Sequence, residues 1–103
     1  MFRLILESAR YRVSEAADGA AALILVKQSR PDLVVTDMVM PVMDGADLIR
    51  RLRSEFGSSA ISILVVSGHP DAVETAVGAD GVLKKPFDRS TLLARVQELL
   101  RGR

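Results

Sequence analysis

Two short apolar runs constrain the fold of this chain more than any other feature of its sequence. The first, residues 33–36, leads into Asp37, and the second, residues 61–66, leads into Ser67. Runs of this length that lack regular polar alternation are typical of strands covered on both faces, as in parallel sheets. The sequence therefore predicts a sheet that is enclosed between helices.

Segments with helical and strand-like patterns alternate around these runs. Helical spacing of apolar residues predicts helices over residues 2–9, 20–28, 46–56 and 71–77, and a closing helix after residue 88. Alternating residues in Tyr11–Ala16 predict a strand with one wet face, and residues 81–84 predict a last strand. Asp88 or Ser90 could cap the closing helix. This alternation predicts a single α/β domain over residues 1–103 with a mostly parallel sheet.

The composition excludes several functional classes. The 103 residues include 14 basic and 13 acidic side chains, so the net charge of +1 gives no electrostatic reason to expect nucleic acid as a partner. The chain has no cysteine, which excludes disulfides and thiolate metal sites and suits a reducing cytoplasm. No apolar run approaches the roughly 20 residues that span a bilayer. We therefore predict a cytoplasmic protein without a membrane partner.

Three chemically distinct side chains follow three of the predicted strands. Asp37, Ser67 and Lys85 stand at or just after the strand ends, and the carboxyl ends of parallel strands gather reactive groups at one crevice. A carboxylate can accept a phosphoryl group, and a hydroxyl and an ammonium can hydrogen-bond its oxygens. The same trio could equally form a structural ion pair with an added hydrogen bond.

The motifs around these residues resemble those of response-regulator receiver domains. The resemblance lies in residues 37–45, in Val65-Val66-Ser67-Gly68, in Lys84-Lys85-Pro86-Phe87, and in residues 11–20. It covers nearly the whole chain. It implies a flavodoxin-like, doubly wound parallel sheet with four strands and about five helices, in which the first helix is partial and the usual first central strand is missing.

The resemblance also implies a role for individual residues. Asp37 would accept a phosphoryl group from a histidine kinase, Ser67 would hydrogen-bond that group, and Lys85 would pair with it. Mg²⁺ is the implied cofactor, with Asp37 and the backbone carbonyl of Val39 among its ligands. Such a domain is a signalling module and not an enzyme. The Lys85-Pro86 bond is a candidate for the cis form.

The sequence departs from the family in three respects, one of which is a segment between Ser67 and Lys85 that is about one helical turn shorter than usual. Receiver domains carry an adjacent acidic pair that binds Mg²⁺, and no two acidic residues are adjacent anywhere in this chain. One carboxylate and one carbonyl make a weak Mg²⁺ site. Val82 stands where many receivers have an aromatic switch residue.

These departures leave three hypotheses open. The chain could be a receiver phosphorylated on Asp37, or a receiver-like interaction or dimerisation module that is not phosphorylated. It could also be a clipped fragment of a longer regulator or hybrid kinase, incomplete at its N-terminus.

A missing central strand would leave residues 33–36 with an unpaired ladder edge, which invites pairing with another chain. Losing about five buried aliphatic side chains, each worth roughly 1.5–3 kcal/mol, would cost about as much as a typical domain's whole net stability. We therefore expect either that residues 11–16 pair with residues 33–36, or that a second chain fills the gap by homodimerisation or strand exchange. A monomer with an open slot is not expected.

Overall fold

The computed structural model describes residues 2–37, 45–57, 60–68 and 77–101. The elements in chain order are α1 (Phe2–Ser8), α2 (Gly19–Gln28), β1 (Leu33–Asp37), α3 (Gly45–Phe56), β2 (Ser62–Ser67), β3 (Gly81–Lys84) and α4 (Arg89–Leu100). Each agrees with its predicted position to within about one residue. The predicted helix at 71–77 lies almost wholly outside the described residues. Within the described ranges, no helix combines the length and apolar character that crossing a membrane requires.

The described strands form one parallel sheet in the order β1-β2-β3. All six residues of β2 are buried, as expected for a middle strand with helices on both faces. Four of the five residues of β1 are only half-buried. The predicted α/β class and the parallel sheet are confirmed. The difference in burial reflects the positions of the strands, because β2 lies in the middle of the described sheet and β1 lies at its edge.

Each face of the sheet supports its own apolar core. The α2–α3 core is built from Leu23 and Val26 of α2, helix α3, and the β2 side chains of Ile63 and Val65. The α1–α4 core contains the alternate β2 residues, with Leu6 of α1 and residues of α4. Because successive side chains of a strand point to opposite faces, the apolar run of β2 supplies both cores. This double burial explains why the run lacks polar residues at regular intervals.

Arg53, near the end of α3, links that helix to β2 and to the turn before β3. Its guanidinium donates to the carbonyl oxygens of Gly78 at 2.9 Å and Ile61 at 2.6 Å, and to Asp80 Oδ2 at 2.7 Å. Asp80 Oδ2 also accepts from the backbone N–H of Ile63 at 2.7 Å, and the Asp80 N–H donates to the Ile63 carbonyl at 2.8 Å. This Arg53–Asp80 network fixes the point at which β3 begins alongside β2.

Tyr11–Ala16 does not form a strand, so the predicted four-strand sheet is wrong in this respect. The segment is not helical either, and it makes no ladder with β1. Tyr11 and Val13 are half-buried against the α1–α4 core, whereas Arg12 and Ser14 are exposed. Pairing beside β1 would enclose Arg12 and Ser14 between the helical layers, and burying such groups without partners is costly. The expected pairing of residues 11–16 with 33–36 is therefore also wrong.

A cavity of about 1270 Å³ occupies the place where a further strand would lie. Its lining includes residues 10–18 and the whole of β1, together with side chains from both apolar cores. We call this cavity the slot. The open slot that was not expected is thus present in the single chain, and occupation by a second chain remains a prediction.

We predict that Arg53→Ala lowers the free energy of unfolding by about 2–3 kcal/mol, because it removes hydrogen bonds to a charged donor and leaves their partners unsatisfied. Arg50→Ala is the matched control, since Arg50 is an exposed residue of the same helix that pairs with Asp47, three residues away. It should cost less than about 0.5 kcal/mol. Urea denaturation of the two variants measures the difference, and equal costs would contradict the structural role of Arg53.

Asp88 caps α4, and its cap supports a prediction about pH. The side chain accepts from the Thr91 hydroxyl at 2.7 Å and from the Thr91 N–H at 2.8 Å. These bonds, with one from Ser90, lower the pKa of Asp88 below its usual 3.8. The stabilisation is therefore present above pH 3.8 and is lost as the pH falls through the folded-state pKa. Asp88→Ala should reduce the thermal midpoint at neutral pH, and the gap from wild type should narrow below pH 3.8.

Candidate functional site

The carboxyl ends of the three strands meet at one edge of the sheet. Asp37 is the last residue of β1, Ser67 is the last residue of β2, and Lys85 directly follows β3. The register pairs Asp37 with Val66 and Ser67 with Lys84, so the three predicted site residues stand at neighbouring strand tips. This arrangement follows from parallel pairing, because the strand order brings equivalent ends together.

The side chains of Asp37 and Lys85 are in direct contact. Lys85 Nζ donates to Asp37 Oδ2 at 2.7 Å, across 48 residues of sequence. The side chain of Asp37 is 35% exposed and that of Lys85 is 42% exposed, so the ion pair is accessible to a solute. A carboxylate and an ammonium at hydrogen-bonding distance in an open crevice can bind or exchange an anionic group.

The backbone of Lys85 is anchored to the end of β2. Its N–H donates to the Ser67 carbonyl oxygen at 2.9 Å, which extends the β2–β3 pairing by one bond beyond β3. The peptide bond between Lys85 and Pro86 is cis, as predicted. The hydrogen bond to Ser67 holds the Lys85 backbone beside β2, and the Lys85 side chain extends toward β1.

Ser67 is buried, with only 2% of its surface exposed. Its backbone contact with Lys85 confirms that it stands at the same edge of the sheet. The position agrees with the sequence prediction, whereas the role of its hydroxyl group stays a prediction.

The described residues do not make a Mg²⁺ site. They contain no cluster of three or more acidic or histidine side chains that could hold a metal ion. Asp37 already pairs with Lys85, and Val39 lies outside the described residues, as do the other residues of the range 38–44. Because Mg²⁺ requires near-octahedral oxygen coordination, the carboxylate of Asp37 is not sufficient to define a site.

Two features of the structure around β1 and β3 were not found from the sequence. Asp18 accepts from the Ala21 N–H at 2.8 Å as the cap of α2, and it lines the slot together with Asp37. The Arg53–Asp80 network positions the strand that leads to Lys85. The Asp18-Gly19 turn signal could have indicated the cap, but nothing local to Arg53 indicates partners 25 and 27 residues away.

Comparison with known proteins identifies the family. The family model described as response regulator receiver domain matches residues 1–97. The transcriptional regulatory protein CseB of Streptomyces avermitilis is 33% identical over 103 residues, which cover 96% of this chain and 43% of that protein. This chain belongs to the response regulator receiver domain family of two-component signalling.

Solved structures agree with this assignment. A putative response regulator from Chloroflexus aurantiacus superposes with a TM-score of 0.90 at 33% identity, over 97% of this chain and 85% of that one. The receiver domain of the sensor histidine kinase PA1611 from Pseudomonas aeruginosa has a TM-score of 0.87 at 27% identity, over 96% and 84%. That structure has a magnesium ion coordinated in its active site cleft. The chain spans less than half the length of the curated relative, so the activity of the whole relative is not transferred to it.

We predict that Lys85→Met changes the free energy of unfolding by less than about 1 kcal/mol, because solvent-exposed ion pairs contribute little to stability. Methionine keeps most of the length of the side chain and removes its charge. Thermal or urea denaturation measures the effect. A loss of several kcal/mol would indicate that the Asp37–Lys85 pair is mainly structural, which is the alternative that the sequence left open.

Proposed function

We propose that this chain is a phosphoacceptor receiver in which Asp37 takes a phosphoryl group from a histidine kinase and signals by a change of conformation. The observation that carries the proposal is the 2.7 Å contact between Asp37 and Lys85 at an accessible strand edge. Membership of the receiver family supports the same site. The positions of Asp37, Ser67 and Lys85 agree with the motifs that the family uses.

The proposed transfer follows from the chemistry of these groups. A carboxylate oxygen of Asp37 attacks the phosphorus of a phosphohistidine, the P–N bond breaks, and an acyl phosphate forms. The released imidazole nitrogen takes up a proton. Lys85 exchanges its carboxylate partner for a phosphoryl oxygen, and Ser67 supplies a hydroxyl donor. Both groups offset the charge on the transferring phosphoryl.

The PA1611 receiver coordinates a magnesium ion in its active site cleft. We infer that this chain would bind Mg²⁺ weakly at the corresponding place. Asp37 and the Val39 carbonyl would be its protein ligands, and the chain has no adjacent acidic pair to add to them. The steps above rely only on Asp37, Ser67 and Lys85. A cytoplasmic location and a histidine kinase partner belong to this proposal.

A second candidate function is an interaction module that is not phosphorylated. The open slot and the lack of an acidic cluster among the described residues favour it. The chain could also act as one part of a longer regulator, as its span of the CseB relative suggests. That relative is named a transcriptional regulatory protein, so the prediction that no nucleic acid is bound applies to this chain alone.

We predict that incubation with acetyl phosphate and Mg²⁺ adds the mass of one acid-labile phosphoryl group, measured by intact-protein mass spectrometry. Asp37→Asn should abolish the addition because it removes the attacking carboxylate. Asp32→Asn is the matched control, since Asp32 is an exposed residue just before the opposite end of the same strand. Its labelling should equal that of wild type. Lys85→Met should slow labelling at least about tenfold, a loss of about 1.4 kcal/mol in transition-state stabilisation.

Labelling that persists in the Asp37→Asn variant would exclude Asp37 as the acceptor. A folded wild-type protein that takes up no phosphoryl group at any Mg²⁺ concentration would favour the interaction module. Circular dichroism of each variant distinguishes these results from a loss of folding.

A further inference from the structure

We propose that Arg53 and Asp80 are positioning residues for Lys85, because their hydrogen bonds set how far β3 extends along β2. These bonds lie just before the start of β3, whereas Lys85 follows the end of the strand and pairs there with Asp37. The effect on phosphoryl transfer rests on the function proposed above. The effect on the placement of Lys85 does not, so the two effects are measured separately.

The apolar contacts of β3 are few. The strand has four residues, Gly81–Lys84, of which only Leu83 is buried. Val82 is half-buried, and Lys84 is exposed. Within the described sheet, β3 pairs with β2 alone. Because hydrophobic burial is largely non-directional, and because register is weakly specified in a short strand that buries little, packing alone does not determine the position of β3 along β2.

Asp80 contacts a single residue of β2 at two points. Its Oδ2 accepts from the Ile63 N–H at 2.7 Å, and its own N–H donates to the Ile63 carbonyl oxygen at 2.8 Å. A displacement of β3 by one residue would break both bonds, because the side chain and the N–H of Asp80 would then face other groups. Asp80 therefore selects the register in which Gly81 lies opposite Leu64.

Arg53 holds both the Asp80 carboxylate and the turn that carries it. Its three guanidinium nitrogens donate to Asp80 Oδ2 and to the carbonyl oxygens of Gly78 and Ile61. The Arg53 side chain is only 16% exposed. Gly78 lies tightly against α3, since a Cβ built on it would stand 3.0 Å from Ile49 Cγ2. A planar guanidinium holds three acceptors in one arrangement, which a lysine ammonium does not reproduce.

The register carries this constraint to the other end of β3. Lys84 lies opposite Ser67, and the Lys85 N–H donates to the Ser67 carbonyl oxygen at 2.9 Å. From there Lys85 Nζ reaches Asp37 Oδ2 at 2.7 Å. A shift of one residue would move this starting point by about 3.3 Å. The ion pair does not hold the strand in place, because exposed ion pairs contribute little to stability.

Amide hydrogen exchange tests the placement of Lys85. Arg53→Ala removes the network, whereas Leu23→Ala removes a buried side chain of α2 from the same core and leaves the network intact. The two variants are compared at urea concentrations that give equal free energies of unfolding. The Lys85 amide should exchange at least about tenfold faster in Arg53→Ala than in Leu23→Ala, because its bond to Ser67 has lost the anchor at the start of β3.

The rate of labelling by acetyl phosphate and Mg²⁺ tests the effect on phosphoryl transfer. Arg53→Ala should slow labelling about three- to tenfold, because a misplaced group contributes less in the transition state. Leu23→Ala should change the rate less than about twofold. In the Lys85→Met background, Arg53→Ala should also change the rate less than about twofold, since a positioning residue acts through the group that it places.

Arg53→Lys replaces Arg53→Ala in both measurements if the alanine variant does not fold. It keeps the charge and loses the planar fork, so both effects should appear in the same direction.

Equal exchange of the Lys85 amide in the Arg53 and Leu23 variants would overturn the proposal. An equal slowing of labelling by the Arg53 substitution with and without the Lys85 ammonium would overturn it as well. A folded wild-type chain that takes up no phosphoryl group would contradict the function proposed for Asp37, and the exchange result would then decide the positioning of Lys85 by itself.

Discussion

The parallel pairing of β1, β2 and β3 is the constraint on which the rest of the structure depends. A strand buried on both faces, β2, holds the other two in a common direction, and their carboxyl ends therefore open at one edge. Asp37 and Lys85 meet across 48 residues because their strands are neighbours of β2 on opposite sides. A shift in the register of this sheet would separate the two charges, because Asp37 and Lys85 are far apart in sequence and are brought together by strand pairing alone.

Long-range hydrogen bonds maintain that register where the apolar cores alone would not. Hydrophobic burial is largely non-directional, so packing against α3 does not by itself decide how far β3 slides along β2. Arg53 and Asp80 join α3, β2 and the turn before β3 through five hydrogen bonds of 2.6–2.9 Å. Lys85 directly follows β3, whereas Arg53 and Asp80 precede this strand in sequence. The position of Lys85 thus depends on a network that takes no part in the chemistry proposed for the site.

The two regions of functional interest differ in what they need from the chain. The site proposed at Asp37 uses a carboxylate, a hydroxyl and an ammonium, and the described residues place these groups at strand tips in a receiver fold. The slot beside β1 is lined by described residues, none of which forms a strand within it. Both regions include Asp37, because it ends the strand whose outer edge lines the slot. The Asp37 carboxylate therefore stands where the edge of the slot meets the carboxyl end of the sheet.

Features that depend on local pattern could be predicted from the amino-acid sequence. The apolar runs predicted the strands β1 and β2, of which β2 is buried throughout and β1 is mostly half-buried, and helical spacing predicted the described helices. The pattern of strand ends predicted that Asp37, Ser67 and Lys85 stand at one edge of the sheet. Whether Tyr11–Ala16 forms a strand depends on tertiary structure. The alternating pattern of this segment suits a strand with one solvent-exposed face, whereas the space beside β1 is apolar on both faces of the sheet. The tertiary structure also decided the partners of Arg53 and the existence of the slot. The Arg53 hydrogen bonds and the slot both depend on contacts between residues far apart in sequence. The free energy of such contacts depends on how much of each group the surrounding fold buries.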